Sequence, residues 1–204
     1  MSGAPAAHWQ SAHWPPAQVA LFGTSADPPT LGHQALLEGL LQHFPLVATW
    51  ATNNPFKQHG APLELRSELL DGLVRAIDNP RLLHQQQLSS PWAIETLARA
   101  RQRWPSAELV FVIGGDLLPQ VLQWKAADQV LASCRLAVVP RQGWPLQEAD
   151  LQSLQQRGGR VELLALPIPA SASSQIRQQL RLEQVPPSLR PVLVQHNLYG
   201  LPAP

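Results

Sequence analysis

The chain reads Gln-Val-Ala-Leu-Phe-Gly-Thr-Ser-Ala-Asp-Pro-Pro-Thr-Leu-Gly-His over residues 18–33. Residues 18–23 form a mostly apolar run of strand length that ends at Gly23, and a polar loop stiffened by two prolines follows. Over residues 31–44 the apolar side chains then recur at helical spacing. The stretch therefore predicts a buried strand, a loop and a helix in succession, which is the building unit of α/β proteins.

The same alternation of strand and helix continues to the end of the chain. Further strands are predicted over residues 46–52, 81–84, 108–114, 135–140 and 161–166. Helices are predicted over 62–77, 91–104 and 124–132, with two short ones near 173–182 and 187–197. We therefore predict an α/β fold with a doubly wound parallel sheet of about five to six strands, helices on both faces and a small helical C-terminal part.

Composition limits the classes of protein to consider. The chain has 204 residues, a formal net charge of +1 and one cysteine. That length suits one domain, the lone cysteine excludes an internal disulfide scaffold, and the low charge argues against a surface for nucleic acid polymers. No apolar run reaches the ~18 residues of a membrane span. Residues 1–16 also lack the basic start and apolar stretch of a secretory signal.

These observations set the expected organisation of the molecule. We expect a cytoplasmic protein with a disordered lead-in over residues 1–16 and a single domain over 17–204, helical at 170–200. The composition leaves its oligomeric state open. Parallel sheets bind ligands beyond the carboxyl ends of their strands, so the chemistry is predicted just after Gly23, Thr52, Gly114 and Pro140.

The loop after the first strand has the features of an anion site. It enters a helix, whose free N–H groups and positive end can face a ligand. Thr30 and His33 would project from the helix start to the same face, and Gly32 would let a ligand approach the backbone. The loop contains neither the dinucleotide-binding Gly-x-Gly-x-x-Gly pattern nor the P-loop Gly-Lys-Ser/Thr. Taken alone, it also fits an ordinary polar loop with Thr30 as helix cap.

This loop resembles the Gly-Gly-Thr-Phe-Asp-Pro-x-His-x-Gly-His segment of bacterial nicotinate mononucleotide adenylyltransferases, members of the nucleotidylyltransferase superfamily. The positions that match directly are Gly23, Asp27, Pro28, Gly32 and His33. Those that depart are Thr24 for Gly, Ser25 for Thr, Ala26 for Phe and Thr30 for His. The resemblance implies a Rossmann-like fold and an ATP site that includes Gly23, Thr24, Ser25 and Gly32.

Two later segments continue the resemblance. Residues 53–57 resemble Pro-Pro-His-Lys, with Lys57 kept and Phe56 in the place of His. Residues 90–97 resemble Ser-Tyr-Thr-x-x-Thr-Leu, with Trp92 for Tyr and Ala93 for Thr. The resemblance implies that Lys57 holds ATP phosphates and that Trp92 faces the pyridine ring, with one hydroxyl hydrogen bond fewer.

The next matching segments follow the fourth and fifth predicted strands. Gly114-Gly-Asp116 resembles the family's Gly-x-Asp, Trp124 falls where the family has a Trp, and residues 139–144 resemble Arg-Pro-Gly-Tyr with Arg141 kept. The resemblance implies that Gly114 and Asp116 bind ATP, and that Trp124 and Arg141 bind the mononucleotide. Without it, Gly-Gly-Asp also fits a plain turn and Trp124 a core residue.

Residues 171–177 resemble Ser-Ser-Thr-x-Ile-Arg, the second signature of the family, with Ala172 in the place of the first Ser. Hydroxyls and free N–H groups at a helix start suit phosphate oxygens, and an arginine adds a fork of donors. The resemblance implies that Ser173 and Ser174 bind ATP and that Arg177 acts on the leaving group. A serine-rich helix cap is the alternative.

Residues 192–199, which end His-Asn-Leu-Tyr, also resemble the family's C-terminus, so the resemblance covers roughly residues 18–200. It implies transfer of the adenylyl group of ATP to nicotinate mononucleotide. His33 would donate to the α-phosphate with Thr30 beside it, and Lys57 and Arg177 would hold the pyrophosphate. Mg²⁺ would arrive with ATP, because no carboxylate cluster has metal-site spacing. Related enzymes for the amide mononucleotide or another phosphate acceptor remain open, as does a nucleotide-binding regulator without catalysis.

Overall fold

The computed structural model describes residues 16–53, 58–169, 173–179 and 181–200. The strands in these ranges are β1 (Gln18–Thr24), β2 (Val47–Ala51), β3 (Leu82–His84), β4 (Glu108–Gly114), β5 (Arg135–Val139) and β6 (Arg160–Leu163). All six pair in parallel in the order β3-β2-β1-β4-β5-β6. The doubly wound parallel sheet predicted from the sequence is therefore confirmed.

Helices connect the strands and close the chain. They are α1 (Leu31–His43), α2 (Leu63–Ile77), α3 (Ala93–Arg103), α4 (Ala127–Ser133), α5 (Glu148–Gln156), α6 (Ser173–Gln179) and α7 (Arg190–Gln195). Short 3₁₀ helices lie between them, the longest of which is Gly115–Gln123. In the described part of the chain, no helix has the length and apolar character that a bilayer crossing requires.

Alternate residues of the strands enter two separate apolar layers. In β1, Ala20 and Phe22 pack with side chains of α1 and α2, whereas Val19 and Leu21 pack with side chains of α3 and α4. A strand that buries both of its faces reads as a continuous apolar run, because its side chains alternate between the faces. This packing explains the apolar runs of β4 and β5, which are the clearest strand signals in the sequence.

The order of the strands fixes where a ligand can enter. The chain runs outward from β1 through β2 to β3, then returns to the middle of the sheet and runs outward the other way from β4. The connections after β1 and β4 therefore leave the sheet in opposite directions, and a crevice opens between them at the carboxyl ends of these strands.

Some predicted bounds were wrong. The helix expected from residue 124 begins at Ala127, because the 3₁₀ helix over Gly115–Gln123 precedes it. The last strand ends at Leu163 rather than at residue 166. Helix α5 was not predicted, since it is mostly polar and buries only Leu154 fully.

Parts of the predicted organisation concern residues that the structure does not describe. Residues 1–15, 54–57, 170–172, 180 and 201–204 lie outside the described residues. The lead-in at 1–16 and the single domain over 17–204 therefore stay predictions. Helices α6 and α7 lie within the C-terminal part that was expected to be helical.

Candidate active site

The carboxyl ends of β1, β2, β4 and β5 open into one cleft of about 1050 Å³. Four residues were predicted to mark the starts of the site segments, and all four line this cleft: Gly23, Thr52, Gly114 and Pro140. Small-molecule sites commonly enclose about 300–1,000 Å³, so this cleft lies at the upper end of that range. The structure thus brings together the four strand ends that the sequence singled out.

His33 is held by the first turn of α1. The backbone N–H of Thr30 donates to Nδ1 of His33 across 3.0 Å. In return, the backbone N–H of His33 donates to the Thr30 hydroxyl across 3.3 Å, so the two residues form a capping box. A backbone N–H can only donate, and Nδ1 is therefore an acceptor. The neutral imidazole consequently carries its proton on Nε2.

The Nε2 atom of His33 lies 2.9 Å from the hydroxyl oxygen of Thr24, at the end of β1. Since Nε2 is the donor, the Thr24 oxygen accepts this bond, and it also accepts the backbone N–H of Ala26 across 3.4 Å. Thr24 and His33 both line the cleft. A phosphate oxygen that entered the cleft here could accept the Nε2–H in place of the threonine oxygen.

Both its electrostatic environment and its hydrogen-bond geometry keep His33 neutral. Burial lowers the pKa of His33 to about 4, and the positive charge of Arg141 contributes in the same direction. Protonation at Nδ1 would also bring two donors, Nδ1–H and the Thr30 N–H, face to face. His33 is therefore a neutral hydrogen-bond donor at pH 7.

Thr30 lies beside the ring of His33. The sequence suggests that Thr30 and His33 both project toward a phosphate, and both residues line the cleft, although the Thr30 side chain is fully buried. Its Oγ1 lies 2.8 Å from Nδ1 of His33, on the side of the ring away from Nε2. Thr30 is thus a positioning residue that acts through His33.

Asp27 ties the first loop to the segment that precedes α2. Its carboxylate is buried and accepts the backbone N–H of Gly60 across 2.7 Å and that of Ala61 across 3.2 Å. The hydroxyl of Tyr199 donates to the same carboxylate across 2.8 Å. The sequence indicated that Asp27 could tie the loop, and the structure shows which segments it joins.

Arg66 connects the same loops through hydrogen bonds of its side chain. Its guanidinium donates to the backbone oxygens of Ala61 (3.0 Å), Ser25 (2.7 Å) and Thr52 (2.6 Å), and to Oδ1 of Asn53 (3.2 Å). The residue is only 1% exposed, and burial lowers the pKa of its guanidinium. Arg66 therefore fixes the backbone of the first loop, including predicted residue Ser25, and is not among the residues that line the cleft.

Helix α6 rests against the first loop. The Ser173 hydroxyl donates to the backbone oxygen of Pro28 across 2.9 Å, so its proton is used to dock the helix. Ser174 and Arg177 line the cleft, and Arg177 donates to the backbone oxygen of Asp27 across 2.6 Å. The two family signatures, far apart in the sequence, are thus in direct contact.

The far end of the cleft is aromatic. Trp92 is 39% exposed, and Nζ of Lys125 lies 5.0 Å from the centre of its ring. Trp124 is partly buried and packs edge-on against Phe111, with ring centres 6.1 Å apart. Both tryptophans line the cleft, as a site for a flat ring requires.

Asp116 and Arg141 meet at the cleft wall. Nη1 of Arg141 lies 2.9 Å from Oδ2 of Asp116, and half of the arginine side chain is exposed. Gly114 makes room for this carboxylate, because a Cβ there would lie 2.5 Å from Oδ1 of Asp116. Gly23 is required for a similar reason, since its Cβ would lie 2.8 Å from the indole of Trp50.

The chain is similar to known proteins of one family. The chain matches the family model described as cytidylyltransferase-like over residues 21–179. It is 38% identical over 200 residues to a probable nicotinate-nucleotide adenylyltransferase of Synechocystis sp., with 89% of this chain and 98% of the relative covered. The chain belongs to the nicotinate-nucleotide adenylyltransferase family. A probable nicotinate-nucleotide adenylyltransferase of Thermus thermophilus is 30% identical over 194 residues, with 89% of this chain and 99% of the relative covered.

The fold is also similar to that of a solved enzyme. The structure of Plasmodium falciparum nicotinic acid mononucleotide adenylyltransferase complexed with NaAD superposes with a TM-score of 0.72 at 15% identity. The match covers 92% of this chain and 99% of that one. At this level of identity the likeness concerns the fold alone.

One departure from the nicotinate-nucleotide adenylyltransferase pattern has a visible consequence. Where the resembling segment has a second Gly, this chain has Thr24, and its hydroxyl is the partner of His33. A glycine would leave Nε2 of His33 without this partner. The substitution therefore adds a polar group to the cleft beside His33.

The predicted set of site residues was incomplete in one respect. Tyr199 was not singled out as a site residue, although it is the only tyrosine of the sequence. Its partner Asp27 lies 172 residues away, so no local pattern indicates the contact. Predicted residue Lys57 lies outside the described residues, next to Gln58 and His59, which line the cleft.

Within the described ranges, no group of three His, Cys, Asp or Glu side chains could hold a metal ion. The carboxylates that line the described cleft are those of Asp27 and Asp116. Asp27 is occupied by Tyr199 and two backbone N–H groups, and Asp116 by Arg141. A divalent ion would therefore fit here on substrate phosphates and water rather than in a cage of side chains.

Proposed function

We propose that this protein transfers the adenylyl group of ATP to the 5′-phosphate of nicotinate mononucleotide. A phosphate oxygen of the mononucleotide forms a bond to the α-phosphorus of ATP, and the bond from that phosphorus to the bridging oxygen breaks. The products are nicotinate adenine dinucleotide and pyrophosphate. The observation that carries the proposal is the neutral His33, whose Nε2 is a donor beside Thr24 in the cleft that both residues line.

This reaction needs positioning and charge stabilisation rather than a covalent intermediate. Nε2–H of His33 exchanges the Thr24 oxygen for an oxygen of the α-phosphate, and the bond strengthens as charge builds up in the transition state. Thr30 holds the ring in this orientation. Because Nδ1 accepts from a fixed backbone N–H, the donor needs no rearrangement when the substrate binds.

The remaining predicted residues divide between the two ligands. Ser174, Arg177 and Lys57 bind the β- and γ-phosphates, which leave as pyrophosphate. Ser173 contributes through the start of α6, and Gly23, Ser25, Gly32 and Gly114 give the nucleotide close access to the backbone. Asp116 binds the ATP ribose in exchange for its bond to Arg141.

The mononucleotide occupies the aromatic end of the cleft. Trp92 and Trp124 contact the pyridine ring by stacking or by edge-to-face packing. Arg141 binds the mononucleotide after it is released from Asp116. Mg²⁺ bound to ATP would neutralise phosphate charge, with water and phosphate oxygens as its ligands. A cytoplasmic location and the absence of a nucleic acid polymer among the partners belong to the same proposal.

A direct assay tests the function. The protein is incubated with Mg-ATP and either nicotinate mononucleotide or its amide, and pyrophosphate and dinucleotide are measured. We expect both products in equal amounts with the nicotinate acceptor, and none after addition of excess EDTA. No product with either acceptor would refute adenylyl transfer.

Two variants on the same helix provide the matched controls. His33→Ala removes the proposed donor, whereas His43→Ala removes an exposed imidazole at the last turn of α1. We expect turnover to be lost in the first and kept in the second. Faster turnover with the amide acceptor would instead favour the related enzyme that acts on that substrate, because Trp92 replaces a residue that lines this pocket in the family.

A further inference from the structure

Asp27 lies where three distant parts of the chain meet. It is 1% exposed and belongs to the first loop. Its Oδ2 accepts the backbone N–H of Gly60, and its Oδ1 accepts the hydroxyl of Tyr199 across 2.8 Å. The first loop, the segment before α2 and the end of the chain therefore share one buried carboxylate.

Arg177 is anchored to the same residue by one nitrogen. Its Nη1 donates to the backbone oxygen of Asp27 across 2.6 Å and lies 3.4 Å from Oδ2 of Asp27. Neither Nη2 nor Nε of Arg177 has a hydrogen-bond partner among the residues that the structure describes. The guanidinium is thus fixed on one side and offers its other donors to the cleft that it lines.

Gly60 brings Arg177 and Tyr199 together. A Cβ on Gly60 would lie 2.7 Å from Cδ of Arg177 and 2.9 Å from Cε1 of Tyr199. The stem of the arginine and the aromatic ring therefore both rest on the glycine backbone. This contact leaves little freedom for the arginine once the tyrosine is in place.

Tyr199 acts only as a hydrogen-bond donor. Burial, followed by the negative charge of Asp27, raises the pKa of its hydroxyl far above the ordinary value for tyrosine. The phenol is therefore protonated at pH 7. Tyr199 is not part of the described cleft lining, whereas Arg177 is, so Tyr199 would act on a substrate through its neighbours.

We propose that Asp27 and Tyr199 are positioning residues that hold the guanidinium of Arg177 at the place of the β- and γ-phosphates. The end of the chain then takes part in binding the leaving pyrophosphate without touching it. This inference deepens the proposed function, and it rests on that function for the identity of the ligand.

Binding of ATP and of AMP to the protein, measured by calorimetry without any acceptor, tests the inference. Tyr199→Phe removes the hydroxyl and keeps the ring on Gly60. We expect the Kd for ATP to rise about tenfold, as for the loss of a hydrogen bond to a charged group, and the Kd for AMP to stay within about twofold. AMP has no β- or γ-phosphate, so a misplaced Arg177 leaves its binding unchanged.

Gly60→Ala is the second variant, and it keeps the hydroxyl while its Cβ displaces Arg177 and Tyr199. We expect the same ATP-specific loss. Thr49→Val is the matched control, because it removes another buried hydroxyl hydrogen bond, from Thr49 to the backbone oxygen of Phe22 at 2.8 Å, outside the cleft lining. This variant should lower stability and leave both Kd values unchanged.

Several outcomes would overturn the inference. These are equal loss of ATP and AMP binding, no loss in either Tyr199→Phe or Gly60→Ala, or the same ATP-specific loss in Thr49→Val. In the turnover assay, Tyr199→Phe should raise the KM for ATP and leave the KM for the mononucleotide unchanged. A wild-type protein that bound ATP but released no pyrophosphate would refute the proposed function, whereas the binding comparison would still decide this inference.

Discussion

The backbone N–H of Thr30 donates to Nδ1 of His33 across 3.0 Å. This one bond determines the tautomer of the imidazole, because an atom that accepts from a backbone N–H cannot carry a proton of its own. The donor is thereby directed to Nε2, toward Thr24 and the cleft. The same hydrogen bond thus caps helix α1 and orients the proposed catalytic group.

Thr30→Val tests how much this feature contributes. Valine keeps the shape of the side chain but cannot cap α1 or contact Nδ1, so the free energy of unfolding should fall by about 1 kcal/mol. We expect kcat to fall about tenfold, with little change in the Kd for ATP, since the histidine ring loses one of its supports. Chemical denaturation and steady-state kinetics measure the two effects.

Thr30→Ser is the control for that variant. It keeps the hydroxyl and should return both stability and kcat close to the wild-type values. A serine variant as slow as the valine variant would show that the hydroxyl is not what supports His33.

Thr24 offers a second test at the other ring nitrogen. Thr24→Val removes the oxygen that accepts Nε2–H of His33 and places a methyl group there. We expect kcat/KM for ATP to fall about tenfold, because the ring loses its resting partner and the phosphate loses a neighbouring hydroxyl. Thr24→Ser should keep most of the activity. Equal kinetics for the two variants would contradict a role for this hydroxyl.

The pKa of His33 makes a prediction about stability and pH. Since burial lowers this pKa from 6.5 to about 4 in the folded protein, the unfolded chain binds the proton more readily between these values. Stability should therefore fall as pH decreases from 6.5 toward 4, with a contribution from His33 on the order of 1–3 kcal/mol.

Urea denaturation at pH 7 and pH 5 measures this contribution. His33→Gln lacks the titrating group, so its loss of stability between the two pH values should be smaller than that of the wild type. His84, whose pKa burial also lowers, is present in both proteins and cancels in the comparison. An equal loss in both proteins would mean that His33 is not held neutral by the fold.

Arg66 should matter for stability rather than for ligand contact. Arg66→Met leaves the backbone oxygens of Ser25, Thr52 and Ala61 without their buried donor, which should cost about 3–5 kcal/mol. The matched control is Arg75→Met on the same helix, where an 80% exposed side chain pairs with Asp71. That change should stay within about 0.5 kcal/mol. The free energy of unfolding of both variants is measured by chemical denaturation. A similar decrease in the two would contradict the proposed role of Arg66 in holding these loops.

Much of the fold could be predicted from the sequence, because its strands are buried on both faces. β1 and β4 read as continuous apolar runs, and each ends at a glycine or a short polar residue where the cleft begins. The 3₁₀ helix over Gly115–Gln123 could not be predicted in the same way. It contains Pro119 and has no regular helical spacing, so its shape depends on packing against α5 and β5.

The sequence predicts which segments meet at the cleft, but it does not predict the contacts between them. Thr30 and His33 are close in sequence, yet their spacing suits both a shared phosphate and a helix cap, and only the backbone geometry distinguishes these. The bonds from Tyr199 and Arg177 to Asp27 join residues that are 172 and 150 positions apart. Such contacts depend on how the C-terminal helices dock, which no local pattern specifies.

The most direct test compares ATP binding with turnover in His33→Ala. A group that acts on the transition state contributes little to substrate binding, so the Kd for ATP should stay within about threefold of the wild-type value. The rate of a single turnover with nicotinate mononucleotide should fall by about 10²–10³, as for the loss of one preorganised donor. A variant that turned over at the wild-type rate, or that lost ATP binding and turnover in equal measure, would contradict the assignment of His33 as the transition-state donor.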